Sequence, residues 1–124
     1  MSKNPWCHLD APMLTKLDLA SVLIREIFED TPYLVGSCMT RPDYRDVDVR
    51  MILADERFDR MFLRPIEDPM RHFIENAVTD HYVHATGLRI DFQIQRQTEA
   101  NAKYPGVRQP LGLYMSSEPA EESL

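Results

Sequence analysis

Tyr33-Leu34-Val35-Gly36-Ser37 is followed by a polar stretch, 38–45, and then by Asp46-Val47-Asp48-Val49-Arg50-Met51-Ile52-Leu53. The fold of the chain turns on this segment. The first apolar run is short and stops at Gly-Ser, which reads as a buried strand entering a tight turn. Pro42 and its polar neighbours read as a loop. Alternation then resumes over 46–51. A period of two places Asp46, Asp48 and Arg50 on one face of a second strand, with Val47, Val49 and Met51 on the other. The two strands can therefore join in a hairpin-like connection.

Upstream, Leu14, Leu17, Leu23, Ile24, Ile27 and Phe28 recur at three- and four-residue spacing, so a helix with one apolar stripe is expected over 13–30. Pro32 is expected to close it. Residues 1–12, with Pro5 and Pro12, read as an irregular lead-in. Downstream, 55–62 reads as a short helix. A second long helix is expected over 68–85, with Met70, Phe73, Ile74, Ala77, Val78 and Val83 as its apolar side and Gly87 as its stop. Leu88, Ile90, Phe92 and Ile94 alternate with Arg89, Asp91, Gln93 and Gln95, the cleanest strand signal in the chain. A short helix over 98–103 follows. This order predicts an α/β fold of the α+β kind, with a mixed sheet of three or more strands and helices mainly on one face. One domain is expected over 13–115, with an acidic tail over 116–124.

Composition narrows the function. A 14.5 kDa chain has room for one ordinary domain. The formal net charge of −6 argues against bulk electrostatic binding of DNA. Glu118, Glu121 and Glu122 carry part of it, leaving −3 for the rest. No apolar run approaches the about 20 residues needed to cross a bilayer, so no membrane partner is expected. The first eight residues have no apolar core of the secretory kind, which makes the cytoplasm the expected location. Two cysteines far apart in sequence, Cys7 and Cys38, do not indicate a disulfide framework, and reduced thiols are expected.

The chemistry-bearing residues belong together. Carboxylates at i and i+2 of a strand, Asp46 and Asp48, point to one side and can share a divalent cation. Asp91, on the polar side of a later strand, can supply a third. Gly36 lets backbone approach a phosphate closely, and Ser37 offers a hydroxyl and an N–H. Arg50 shares the face of Asp46 and Asp48, and Arg89 that of Asp91, so both can neutralise phosphate or balance the aspartates.

Gly36-Ser37, eight residues, Asp46-Val47-Asp48, and later Asp91 within Arg89-Ile90-Asp91-Phe92 together resemble the pattern of the polymerase-beta-like nucleotidyltransferase superfamily, in its minimal single-domain branch. The likeness covers residues 13–95. It implies a mixed-sheet core, two Mg²⁺ ions (Mn²⁺ as the alternative) and transfer of a nucleoside monophosphate from a nucleoside triphosphate to a hydroxyl, with release of pyrophosphate. By that resemblance Asp46, Asp48 and Asp91 are the catalytic and metal-binding residues. Asp46 and Asp48 would hold both ions. Asp91 would hold the catalytic ion and help deprotonate the acceptor. Gly36, Ser37, Arg41 and Arg50 would bind the nucleotide, an ATP-like substrate. The acceptor is left open, with a partner protein or an RNA end among the options. The competing expectations are a catalytically inactive module, antitoxin-like, that binds a nucleotide or a partner, and a small structural protein on the same scaffold.

Other polar residues are weighed beside these. Gln93 and Gln95 continue the Asp91 face and can reach a base or an acceptor; an exposed strand face explains them equally well. Lys103 and Arg108 are candidates to close over phosphates. His72, His81 and His84 lie on the second long helix, where a solvated face explains them better than a metal site. Cys38 reads as a small packing residue.

Overall fold

The computed structural model describes residues 7–64 and 66–113. The acidic tail, residues 114 and 115 of the expected domain, and the first six residues of the lead-in lie outside these.

Proline opens the first helix rather than preceding it. Helix α1 spans Ala11–Phe28, starting two residues before the expected position. The Asp10 side chain accepts from the Met13 N–H at 2.9 Å. Pro12 sits in the first turn, where a missing N–H removes no helical hydrogen bond. The helix stops at Glu29, which adopts a left-handed conformation at φ 54, before Pro32 is reached. Pro32 instead begins strand β1, Pro32–Val35. The described part of the lead-in is anchored: Cys7 and Leu9 are buried, and the His8 N–H donates to the Cys38 carbonyl at 2.7 Å.

A 3₁₀ turn, Gly36–Met39, follows β1. Strand β2 is Val47–Leu53, helix α2 is Asp55–Met61 and helix α3 is Pro69–Thr86. Asp68 caps α3 and Gly87 ends it at φ 75, as expected of a glycine stop. Strand β3 is Ile90–Arg96, helix α4 is Gln97–Lys103 and strand β4 is Gln109–Pro110. The sheet is mixed, in the order β3-β2-β1-β4. β1 runs antiparallel to β2 and to β4, while β2 and β3 are parallel. The chain is thus of the expected α+β class. β4 was not expected; two residues are too few to carry a period.

One face of the sheet makes the core. Val47, Val49, Met51 and Leu53 of β2 join Leu34 of β1 and Phe92 and Ile94 of β3. They meet Leu17, Ile24 and Phe28 of α1 and Val78 and Tyr82 of α3. The alternation of β2 therefore runs on to Leu53, with Ile52 on the polar side. A buried hydroxyl pair fastens the helices: Tyr82 Oη lies 2.7 Å from Ser21 Oγ, which donates to the Leu17 carbonyl at 2.8 Å. His81 Nε2 reaches the Ala20 carbonyl at 2.8 Å, so this histidine links two helices.

These polar contacts turn the helices from the expected faces. Leu23 and Ile27 of α1, and Met70, Phe73 and Val83 of α3, are exposed rather than packed. α3 turns Glu75, Val78, Tyr82 and Thr86 inward instead. Glu75 earns its place by hydrogen bonding. Its carboxylate accepts from the Ile94 N–H at 2.8 Å and from Arg71 Nη1 at 3.3 Å. β3 is an edge strand, and this contact caps one of its outward amides. Glu75→Ala is expected to lower stability by about 1–3 kcal/mol, the penalty of an unsatisfied buried amide. Glu75→Gln, which keeps a carbonyl oxygen, should lose less. Urea unfolding of the two variants checks the order.

Candidate functional site

The hairpin and the parallel pair bring Asp48, Arg50 and Asp91 to the polar face. Val35 is the register partner of Asp48 across β1–β2, and Asp48 is the register partner of Asp91 across β2–β3. Neighbours in register share a face of the sheet, so the late aspartate stands on the same side as Asp48.

Gly36 closes one wall. It adopts φ +82, and a Cβ built there would lie 2.1 Å from Asp48 Oδ2. The glycine is needed twice over: for a left-handed backbone and for room beside a carboxylate.

Arg50 sits between the two carboxylates, with its side chain only 3% exposed. Its Nη1 donates to the Asp91 carbonyl at 2.6 Å and to the Val49 carbonyl at 3.1 Å. Its Nη2 lies 3.4 Å from Asp91 Oδ2 and 4.0 Å from Asp48 Oδ1. The short bonds thus go to main-chain oxygen and the long contacts to the carboxylates. Tyr104, at the end of α4, places its ring 5.8 Å from the Arg50 guanidinium carbon. Arg50 is consequently part of the site's floor rather than an exposed phosphate contact. Tyr104 was missed in the sequence: its partner lies 54 positions away, and only the Pro105-Gly106 that follows it hints that the chain turns back there.

Asp46 stands apart from this centre. It precedes β2 and pairs with Arg89 at 3.3 Å, both side chains being half-exposed or more. Among the described residues, no three His, Cys, Asp or Glu side chains cluster closely enough to hold a metal ion as they stand. Arg41 pairs with Asp43 at 2.9 Å on the surface. It nevertheless shares a hollow of about 240 Å³ with Ser37, Tyr44 and Arg45, directly after Gly36. Gln93 donates to Asp91 Oδ1 at 3.4 Å, and Gln95 to Gln93 Oε1 at 3.4 Å, a row of amides leading away from the aspartate. Lys103 lies over the Tyr104 ring, whereas Arg108 is bound to the Tyr104 and Ala100 carbonyls and to Asn101.

Burial pushes the Asp48 carboxyl above its ordinary range, and the charges of Asp91 and Asp46 add to this; Arg50 and, more weakly, Lys103 oppose it. Protonation of Asp48 is therefore easier in the folded chain than in the unfolded one. A raised carboxyl costs no stability below the unfolded value, near pH 4. Its ionisation penalty grows as pH climbs and is complete above the folded value. Asp48→Asn is accordingly expected to raise Tm at pH 7 and to match the wild type near pH 3. Thermal melts across that range check the sign.

Cys38 is buried beside the site, and burial pushes its thiol up to about 12. It stays protonated at neutral pH and serves as packing. His72 contacts Glu67 and Glu75, and His84 Nδ1 bonds the Asp80 carbonyl. The helix α3 histidines thus have local partners. No helix among the described residues is long and apolar enough to cross a membrane.

The chain matches no family model, no curated protein and no solved structure. Its site must be read from its own geometry.

Proposed function

We propose that the chain binds a nucleoside triphosphate together with Mg²⁺ and transfers a nucleoside monophosphate to a hydroxyl acceptor, releasing pyrophosphate. The observation that supports this reading is the register pairing of Asp48 with Asp91 on one face, with the Gly36 backbone against the Asp48 carboxylate. The donor set suits a hard cation, which takes carboxylate oxygen. Arg50 engages those oxygens only at 3.4 and 4.0 Å, so they keep lone pairs to offer. Asp48 and Asp91 would hold the ion. Asp46 would join them on leaving Arg89, an exposed pair of the kind worth about 1 kcal/mol or less. Bound there, Mg²⁺ or Mn²⁺ would neutralise phosphate charge and acidify the acceptor hydroxyl. Ser37 and the Gly36 backbone would receive the triphosphate, and Arg41 can exchange its exposed partner Asp43 for a phosphate.

Arg50 favours a second reading. A guanidinium already supplies positive charge between Asp48 and Asp91, which suits a module that binds a nucleotide or a partner without turnover. Incubation with each α-labelled triphosphate, Mg²⁺ and candidate protein and RNA acceptors separates the two. Label transfer with equimolar pyrophosphate, lost in Asp48→Asn, is the expected result. Saturable binding without pyrophosphate would select the module. Neither outcome with any of the four triphosphates would remove the transferase and the nucleotide-binding module alike, and leave only a module that binds a partner.

A further inference from the structure

The outward face of α1 carries a pattern the proposed chemistry does not use. Lys16, Leu19, Leu23 and Glu26 are all exposed and are spaced three, four and three residues apart. At about 100° per residue, that spacing keeps them on one side of the helix. Leu19 is 43% exposed and Leu23 47%, and Ile27 beside them is 61% exposed. These are the aliphatic residues that the core leaves out: Leu17, Ala20, Ile24 and Phe28 of the same helix face inward. Neither Lys16 nor Glu26 has an ion-pair partner among the described residues.

The pattern is its own complement. Residues 16 and 26 are equally far from position 21, and so are 19 and 23. A second α1 laid antiparallel about a twofold axis at that position therefore sets Leu19 against Leu23 and Lys16 against Glu26, twice. A parallel arrangement would instead set lysine near lysine and glutamate near glutamate. We infer that this face is the interface of a homodimer, with a second copy of the chain as its occupant. Isologous contacts of this kind are the commonest in soluble oligomers. The interface has an aliphatic centre and a charged rim, the usual anatomy of such surfaces. One helix per subunit is a small interface, so the association is reversible and depends on concentration. α1 packs on the apolar face of the sheet, so the dimer leaves the Asp48–Asp91 face open. The inference is independent of the proposed function.

Sedimentation equilibrium over a wide range of concentrations tests it. The wild type should move from 14.5 kDa to twice that mass. Leu23→Asp should remain monomeric, and at dilutions where the wild type is also monomeric its melting profile should stay close to the wild type's, because the side chain is half-exposed. Lys16→Glu should weaken the dimer roughly tenfold or more through like-charge contacts. Lys16→Glu combined with Glu26→Lys should restore it, since the swap rebuilds both pairs. A wild type that stays monomeric at millimolar concentration would overturn the inference. So would a dimer indifferent to Leu23→Asp, or a charge swap that restores nothing.

Discussion

Arg50→Met is expected to lower stability by about 3 kcal/mol, toward the low end for breaking a buried ion pair because Asp91 remains partly open to water. The methionine fills the stem's volume, so the loss reports the guanidinium. That group holds the Asp91 and Val49 carbonyls and lies between the Asp48 and Asp91 carboxylates. Without it two main-chain acceptors lose a donor and two carboxylates face each other uncompensated. Arg50→Lys is expected to recover little, because one ammonium cannot replace a planar group reaching two carbonyls and two carboxylates. Adding Asp91→Asn to Arg50→Met should return part of the loss by removing the repulsion. Urea unfolding of the four proteins measures this. A loss below about 1 kcal/mol in Arg50→Met would mean that the pair behaves as an exposed one.

Gly36→Ala should be nearly as damaging, at about 2 kcal/mol, and should act on the site directly. Part is the left-handed backbone at φ +82, which disfavours any Cβ by roughly 1–2 kcal/mol. The rest is collision, since the new methyl would lie 2.1 Å from Asp48 Oδ2. Relief requires Asp48 to leave its place beside Asp91. The expected signature is loss of nucleotide binding together with a lower Tm. In the Asp48→Ala background the same substitution should cost less, because the collision with the carboxylate is gone and only the left-handed backbone and the closer approach to the residue-48 Cβ, at 3.2 Å, remain. Strict additivity of the two changes would show that Gly36 and Asp48 do not touch in solution.

Much of this was readable in the order of residues, for identifiable reasons. β3 was clear because Leu88 to Gln95 alternates without interruption, and that alternation alone puts Asp91 on the polar face. Gly36 was marked by its place after an apolar run. The helix faces were less clear. Leu23 and Ile27 are as apolar as Leu17 and Ile24, and periodicity cannot say which of two adjacent stripes meets the sheet. The deciding contacts, Tyr82 to Ser21 and His81 to Ala20, join residues 61 positions apart. Glu75 was invisible as an inward residue because its partner is a backbone amide of an edge strand. In the site, the same-face position of Asp46 followed from parity, but Asp46 precedes the strand and turns to Arg89. Arg50 was legible as a neighbour of the aspartates, though its burial depends on Tyr104 and on the parallel pairing with β3.

The most direct measurement is electron paramagnetic resonance of free Mn²⁺ titrated with protein in the presence of each nucleoside triphosphate. The account predicts that wild-type protein removes Mn²⁺ from solution beyond what the nucleotide binds alone, and that Asp48→Asn and Asp91→Asn each abolish the excess. Equal uptake by wild type and both variants, or no uptake with any triphosphate, would contradict a shared cation between these two strands.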